Sequence, residues 1–343
     1  MTKMDIPEAA LTPGDLEVGN NDGGGGEATY LKFNRLVRKV EVKEHNAGLM
    51  RSSIAAPTPQ TREMVQRSGP VTKTILNQVS GYAAPGQVLA LMGPSGSGKT
   101  SLLDTLSGRS KFNSGTLMIN GQKATTQSMK RLMSKVAYVK QADVFFGHLT
   151  LQDQLSYTAL LRLPSRWESS RKHAEVARII KMLRLTKVAQ SSINMLSGGE
   201  KKRVNIGTEL LTDPSVILLD EPTSGLDSTS AVALLAMLQR LARQHGKTIV
   251  TSIHQPSSAV FRSFDRLMML ADGNVVYFGT PVGSLEYLKD LGYSCPSGYN
   301  AADHWMDLLV VDTAIDEDDN HLLLDAKPAS DETDDNDDDN DET

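Results

Sequence analysis

Between Val88 and Ser101 the chain reads VLALMGPSGSGKTS: an apolar run, a loop with three glycines, then a lysine and two hydroxyl residues. The spacing is G-x-x-x-x-G-K-[ST], the pattern of a phosphate-cradling loop. In it Gly93, Pro94, Ser95, Gly96, Ser97 and Gly98 form a loop whose N–H groups converge on an anion. Its glycines supply dihedrals that other residues reach only with strain. The helix expected to start at Lys99 adds the positive end of its dipole. Lys99 is predicted to reach the β- and γ-phosphates of a nucleotide, the Thr100 hydroxyl to ligate Mg²⁺, and Ser101 to complete the loop.

Two further stretches supply chemistry. Val216–Glu221 (VILLDE) is an apolar strand ending in two carboxylates. Asp220 is expected to hold Mg²⁺, and Glu221 to orient or deprotonate an attacking water. Leu196–Glu200 (LSGGE) places Ser197, Gly198 and Gly199 at a helix start, a second anion-binding N-terminus. One nucleotide does not easily touch both this loop and the first one if they lie on separate lobes. A head-to-tail dimer, in which each nucleotide is shared between two chains, removes the difficulty.

The elements that must position these groups alternate strand and helix. Tyr30–Val42 alternates well enough for one or two strands, and TILNQVSGYAAPGQVLALMG reads as two strands about an Ala-Pro-Gly turn. GTLMINGQ looks like a strand ending in an Asn-Gly turn, and Val136–Gln141 like another strand. Leu149–Leu196 has helical spacing interrupted at Pro164, and EKKRVNIGTELL continues it. SVILLDEP and TIVTSIHQ read as buried strands on either side of an amphipathic helix stopped by Gly246, and RLMMLADGNVVYFG as a hairpin. Strands apolar throughout imply a mainly parallel sheet covered on both faces. The helix-rich segment of about 142–213 is expected to form its own lobe. Residues 1–28 read as disordered, 46–70 as an irregular connection and 312–343 as an acidic disordered tail.

The charge is unevenly placed. The chain of 343 residues has a formal net charge of −5, yet 15 of its acidic residues and one lysine lie from Asp312 onward. Residues 1–311 therefore carry 35 Lys and Arg against 26 acids, a net of +9. A basic body suits a polyphosphate ligand or an anionic surface, and equally a solvated surface with no partner. The single cysteine, Cys295, excludes an intrachain disulfide and fits a reducing compartment. No apolar run reaches the roughly 18 residues of a membrane-spanning helix, and the N-terminus lacks the apolar core of a secretory signal.

Together these motifs resemble the nucleotide-binding cassette of ABC transporters, and of their G, or White-type, half-transporters in particular. The resemblance spans about residues 30–310 and rests on GPSGSGKTS, LTLQDQLSYTALLRLP, SGGEKKRVNIGTELLTDPSVILLDEPTSGLDS and SIHQPSS. It implies a P-loop (RecA-like) α/β core, an antiparallel β subdomain and a helical subdomain within a cassette of about 29–311. It further implies roles for three residues. Gln141 would sense Mg²⁺ and the attacking water, Asp227 would pack across the dimer, and His254 would hydrogen-bond the γ-phosphate. Lys99, Gln141, Glu221 and His254 would then be the catalytic set and Thr100, Gln141 and Asp220 the metal set. The implied function is ATP hydrolysis driving export of a lipophilic substrate from the cytoplasmic face of a membrane. The implied partners are a second cassette and a transmembrane domain in the same native chain or another, with no nucleic acid. A soluble or regulatory single-cassette ATPase is the alternative. The chain departs from the family pattern at Arg38, where many relatives have an adenine-stacking aromatic. It departs again at Asp153, where a glutamate is usual, and at Ala301, where a proline is usual. His304, in DHWMDLL, reads as a packing residue.

Overall fold

The computed structural model describes residues 28–42 and 71–310. Of the segments expected to be disordered, irregular or acidic, 1–28, 46–70 and 312–343, all but residue 28 lie outside the described residues.

Two sheets organise the described chain. The larger has six strands in the order β10-β9-β3-β8-β7-β6. These are β3 (Val88–Met92), β6 (Val136–Val139), β7 (Val216–Leu219), β8 (Thr248–Ser252), β9 (Arg266–Ala271) and β10 (Asn274–Gly279). All neighbours are parallel except β10, which turns back antiparallel to β9. Their connection carries Asp272 and Gly273 at φ 45° and 74°, the left-handed pair that matches the twist of a tight hairpin. The smaller sheet is antiparallel, β2-β1-β4-β5, from β1 (Leu31–Val42), β2 (Val71–Ala83), β4 (Ser114–Ile119) and β5 (Gln122–Lys123). The two strands flanking the Ala-Pro-Gly turn are therefore not a hairpin: the chain leaves one sheet at Ala83 and enters the other at Val88.

The parallel strands are apolar throughout because each faces two cores. Val88, Ala90, Met92, Ile217, Leu219, Leu267 and Met269 point into one cluster, while Leu89, Leu91, Val216, Leu218, Met268 and Leu270 point into the other. The period of two distributes successive side chains to opposite faces. The second cluster is closed by β1, β2, β4 and the helix α1 (Lys99–Leu106).

The first cluster is covered by helices. Of α3 (Leu151–Arg162), α4 (Ser169–Met182) and α5 (Gly198–Leu210), residues Leu151, Leu155, Ile179, Val204 and Ile206 belong to it. The apolar residues of the helix-rich segment are thus continuous with the core on this face of the sheet. The long helix α6 (Ser228–His245) ends at Gly246, φ 60°, as its amphipathic pattern predicts.

Four helices escaped the pattern reading: α2 (Thr126–Lys135), the one-turn α7 (Ser258–Phe261), α8 (Pro281–Asp290) and α9 (Ala301–Leu309). Trp305, 1% exposed, anchors α9: its ring stacks nearly parallel to that of Tyr287, centroids 6.3 Å apart, and its indole N–H donates to Ser284 Oγ at 3.2 Å. Trp305→Ala should therefore cost about 3–5 kcal/mol, read as a loss in the midpoint of denaturant unfolding. His304 is bound to the Tyr293 carbonyl at 3.2 Å, a packing contact.

Candidate nucleotide site

The P-loop, the carboxylate pair and His254 leave the carboxyl ends of three adjacent strands, β3, β7 and β8. This is the edge where parallel α/β sheets bind ligands. The parallel order makes the convergence possible, since the three strands point the same way.

Backbone sterics shape the loop after β3. Gly93, Gly96 and Gly98 have φ of 145°, 80° and 102°, all in the region that favours glycine. A Cβ on Gly93 would lie 2.0 Å from the Leu270 carbonyl oxygen, so the loop leaves β3 against β9 with no room for a side chain. Gly93→Ala should push β3 from β9 and destabilise the fold by about 2 kcal/mol or more, measured as a fall in Tm. Ser95 and Gly96 are exposed at the loop crest, whereas Ser97 and Lys99 are buried. Ser97 Oγ is buried with no hydrogen-bond partner, an orphan hydroxyl inside an anion-binding loop. The Lys99 ammonium turns back into the loop, donating to the carbonyls of Gly93 (2.8 Å) and Pro94 (2.9 Å). Burial lowers its pKa, and the nearby Glu221 and Asp220 carboxylates oppose that shift.

Beyond the loop a chain of hydrogen bonds crosses the sheet edge. Thr100 Oγ1 donates to Asp220 Oδ1 at 3.2 Å, and Ser252 Oγ donates to the same oxygen at 2.6 Å. The Glu221 N–H donates to Ser252 Oγ at 2.8 Å, and Gln141 Nε2 donates to Glu221 Oε2 at 2.8 Å. Thr100, Asp220, Glu221 and Gln141, expected to act together, are thus brought together, with Ser252 between them. Ser252 had no chemical spacing to mark it; its position at the end of β8, beside β7, makes it the bridge. Glu221 sits at φ 45° and Gln255, next to His254, at φ 43°. Left-handed conformations at non-glycine residues are strained and are retained where a turn must aim a side chain. His254 is exposed and lies two residues beyond the end of β8.

The Ser197 loop stands apart. Ser197 caps α5 in a reciprocal box: its hydroxyl accepts from the Glu200 N–H (3.3 Å), and Glu200 Oε2 accepts from the Ser197 N–H (2.9 Å). That bond from the Ser197 backbone is the largest cause of the lowered Glu200 pKa. Gly199 packs against Ser230, Gly198 against Leu226, and Asp227 caps α6 by accepting from the Ser230 N–H at 2.9 Å. This hydrogen bonding to Ser230 lowers the Asp227 pKa. Among the described residues, no hydrogen bond joins Ser197, Gly198, Gly199 or Asp227 to the P-loop of the same chain.

The residues that depart from the family pattern each have a local explanation. Arg38 lies along α1, its guanidinium donating to the Ser101 carbonyl at 3.1 Å with Asp104 at 3.9 Å. It thereby puts a planar cation, not an aromatic ring, beside the P-loop helix. Asp153 belongs to the start of α3, where its carboxylate accepts from Thr150 Oγ1 at 2.7 Å. Ala301 opens α9 at a position where proline and alanine are both compatible with helix.

The chemistry of the donor set fits a nucleoside triphosphate with a divalent cation. The loop supplies N–H groups and an ammonium, and Thr100 and Asp220 supply hard oxygen ligands. Among the described residues no cluster of three or more His, Cys, Asp or Glu could hold a metal by itself, so such an ion would need oxygens from the phosphates.

Comparison with known proteins agrees with this geometry. Residues 76–224 match the family model described as ABC transporter, and residues 254–323 match one described as ABC-2 type transporter. No helix among the described residues is long and apolar enough to cross a membrane. ABC transporter G family member 14 of Arabidopsis thaliana is 43% identical over 284 residues, covering 81% of this chain and 41% of that protein. The broad substrate specificity ATP-binding cassette transporter ABCG2 of Mus musculus is 41% identical over 274 residues, 76% of this chain and 41% of its own. Protein white of Drosophila melanogaster is 40% identical over 250 residues, 70% and 36%. The matches thus span about two fifths of the length of these relatives. Among solved structures, a dimeric post-hydrolysis state of the ATP-binding cassette MJ0796 bound to ADP and Pi aligns with a TM-score of 0.57. It covers 73% of this chain and 98% of that one at 23% identity, a likeness of fold.

Proposed function

Since the chain belongs to the ABC transporter family and carries a cassette of its G type, we propose that it binds and hydrolyses ATP to power export across a membrane. The observation that carries the reading is the hydrogen-bonded run Thr100–Asp220–Ser252–Glu221–Gln141, which ties the P-loop helix to both carboxylates.

In this reading the backbone N–H groups of Ser95 to Ser101 cradle the phosphates. Lys99 exchanges its two loop carbonyls for the β- and γ-phosphate oxygens. Thr100 and Asp220 would hold Mg²⁺, which would supply charge neutralisation for phosphoryl transfer. Glu221 accepts a proton from the attacking water once Gln141 releases its Oε2, and His254 steadies the γ-phosphate. Gln141 contributes to the metal site through its side-chain oxygen. Removing Mg²⁺ with a chelator should abolish phosphate release. Asp220→Asn should raise the Mg²⁺ concentration for half-maximal turnover about tenfold or more. An unchanged Mg²⁺ requirement would remove Asp220 from the metal site.

We further infer a head-to-tail pair of cassettes. The exposure of Ser197 at the start of the 13-residue α5, and its separation from its own P-loop, support a role at the nucleotide of a second copy or of a related chain. Asp227, on the adjoining turn, would face the same partner. The cassette would work on the cytoplasmic face of a membrane, joined to transmembrane helices of its own native chain or another, and the exported compound would be lipophilic. The decisive experiment is steady-state phosphate release by the purified chain, with and without Mg²⁺-ATP-driven dimerisation measured by light scattering. Turnover with dimer formation supports the reading. Dimer formation without turnover favours a regulatory cassette.

A further inference from the structure

One strongly buried charge near the site has no place in the chemistry above. Lys202 lies on α5, five residues beyond Ser197, and is only 4% exposed. Its ammonium donates to the backbone carbonyl of Gln141 at 2.9 Å and to Asp143 Oδ1 at 2.9 Å. Asn205, further along α5, donates through Nδ2 to the same Asp143 oxygen. A buried ammonium must be paired, but burial alone does not call for one, since an apolar side chain of similar volume fills such a space without desolvation cost. What Lys202 holds is specific: the main chain of the residue whose side chain hydrogen-bonds Glu221.

We propose that Lys202 is a positioning residue for Gln141. Through it the Ser197 end of α5 and the Gln141 main chain move as one rigid piece, while Glu221 stays with the sheet. The inference rests on the proposed ATPase reading. When Ser197 engages a nucleotide on the opposing cassette, α5 shifts, and Lys202 carries the Gln141 main chain with it. Gln141 Nε2 then leaves Glu221 Oε2, which becomes free to accept the proton from water. Lys202 touches neither nucleotide nor water. Its effect on turnover passes through Gln141.

This makes a result that a merely structural lysine would not produce. Lys202→Met, and the double variant K202M/D143L that removes both charges of the pair, should lower kcat at least about tenfold, because small displacements of a catalytic constellation cost that much or more. KM for ATP should stay within about threefold of the parent. In a Gln141→Ala background, where the side chain to be positioned is already gone, K202M should cause little further loss. Whichever variant melts like the parent is the one to read, so a folding defect in the single variant leaves the double variant as the test. Parental kcat in a folded variant, or an undiminished loss in the Gln141→Ala background, overturns the proposal. Absence of turnover in the parent chain instead overturns the ATPase reading itself.

Discussion

Glu221→Gln leaves ATP binding intact and lowers kcat by about 10²–10⁴-fold, the range that a positioned general base contributes. The glutamine keeps the length of the side chain and its strained backbone at φ 45°. The N–H bond to Ser252 Oγ at 2.8 Å is a main-chain contact and survives. What is lost is the acceptor for a proton, together with the charged partner of Gln141 Nε2. Because binding persists while turnover does not, the variant should accumulate, in the proposed arrangement, as an ATP-bound pair of cassettes. A doubling of mass by light scattering in Mg²⁺-ATP, with phosphate release measured in parallel, tests both halves of the expectation. Hydrolysis at the parental rate would transfer the base role away from Glu221, with His254 the next group to test.

Lys99→Ala acts earlier, on binding. Its ammonium organises the loop through two charged hydrogen bonds, to Gly93 and Pro94, at 2.8 and 2.9 Å. In the proposed complex it transfers those donors to phosphate oxygens. Hydrogen bonds of a charged group are worth about 1.5–3 kcal/mol each. Loss of the pair should weaken ATP binding by about 3 kcal/mol, roughly a hundredfold in Kd, measured by titration with a fluorescent ATP analogue. The Lys99 pKa is lowered by burial, so the ammonium is costly in the folded loop until an anion offsets it. Nucleotide should therefore raise Tm in the parent and do so only weakly in the alanine variant. An equal rise in both would show that the loop N–H groups alone carry the affinity.

Much of the site was legible because its chemistry is local. A phosphate loop is one contiguous stretch, and the glycines at 93, 96 and 98 occupy the positions where φ is positive. The same holds for the parallel core: strands such as Val216–Leu219 are apolar on both faces because two clusters meet on them, and that doubled apolarity shows as an unbroken run. The Asn-Gly and Asp-Gly tips, at residues 120–121 and 272–273, were equally plain, since left-handed pairs restrict residue type. The capping signals for α8, with Thr280 as cap and Pro281 at the first helical position, were also present in the sequence. Its ten-residue body is short and weakly periodic, so the helix does not stand out by pattern.

Sequence alone determined the phosphate loop, the family resemblance and the alternation of strand and helix, because each depends on residues within a turn or two of one another. Only the tertiary structure decided which strands lie side by side, and therefore what meets at the sheet edge. Ser252 reaches Asp220 and Glu221 because β8 runs beside β7, an adjacency between residues about thirty apart in the chain. Lys202, in a run of lysine and arginine with no local signal to single it out, is buried because α5 packs its side against the Gln141 loop. Neither placement is written in local pattern, since side-chain pairing across a sheet or between a helix and a distant loop is set by packing, which only the folded chain possesses.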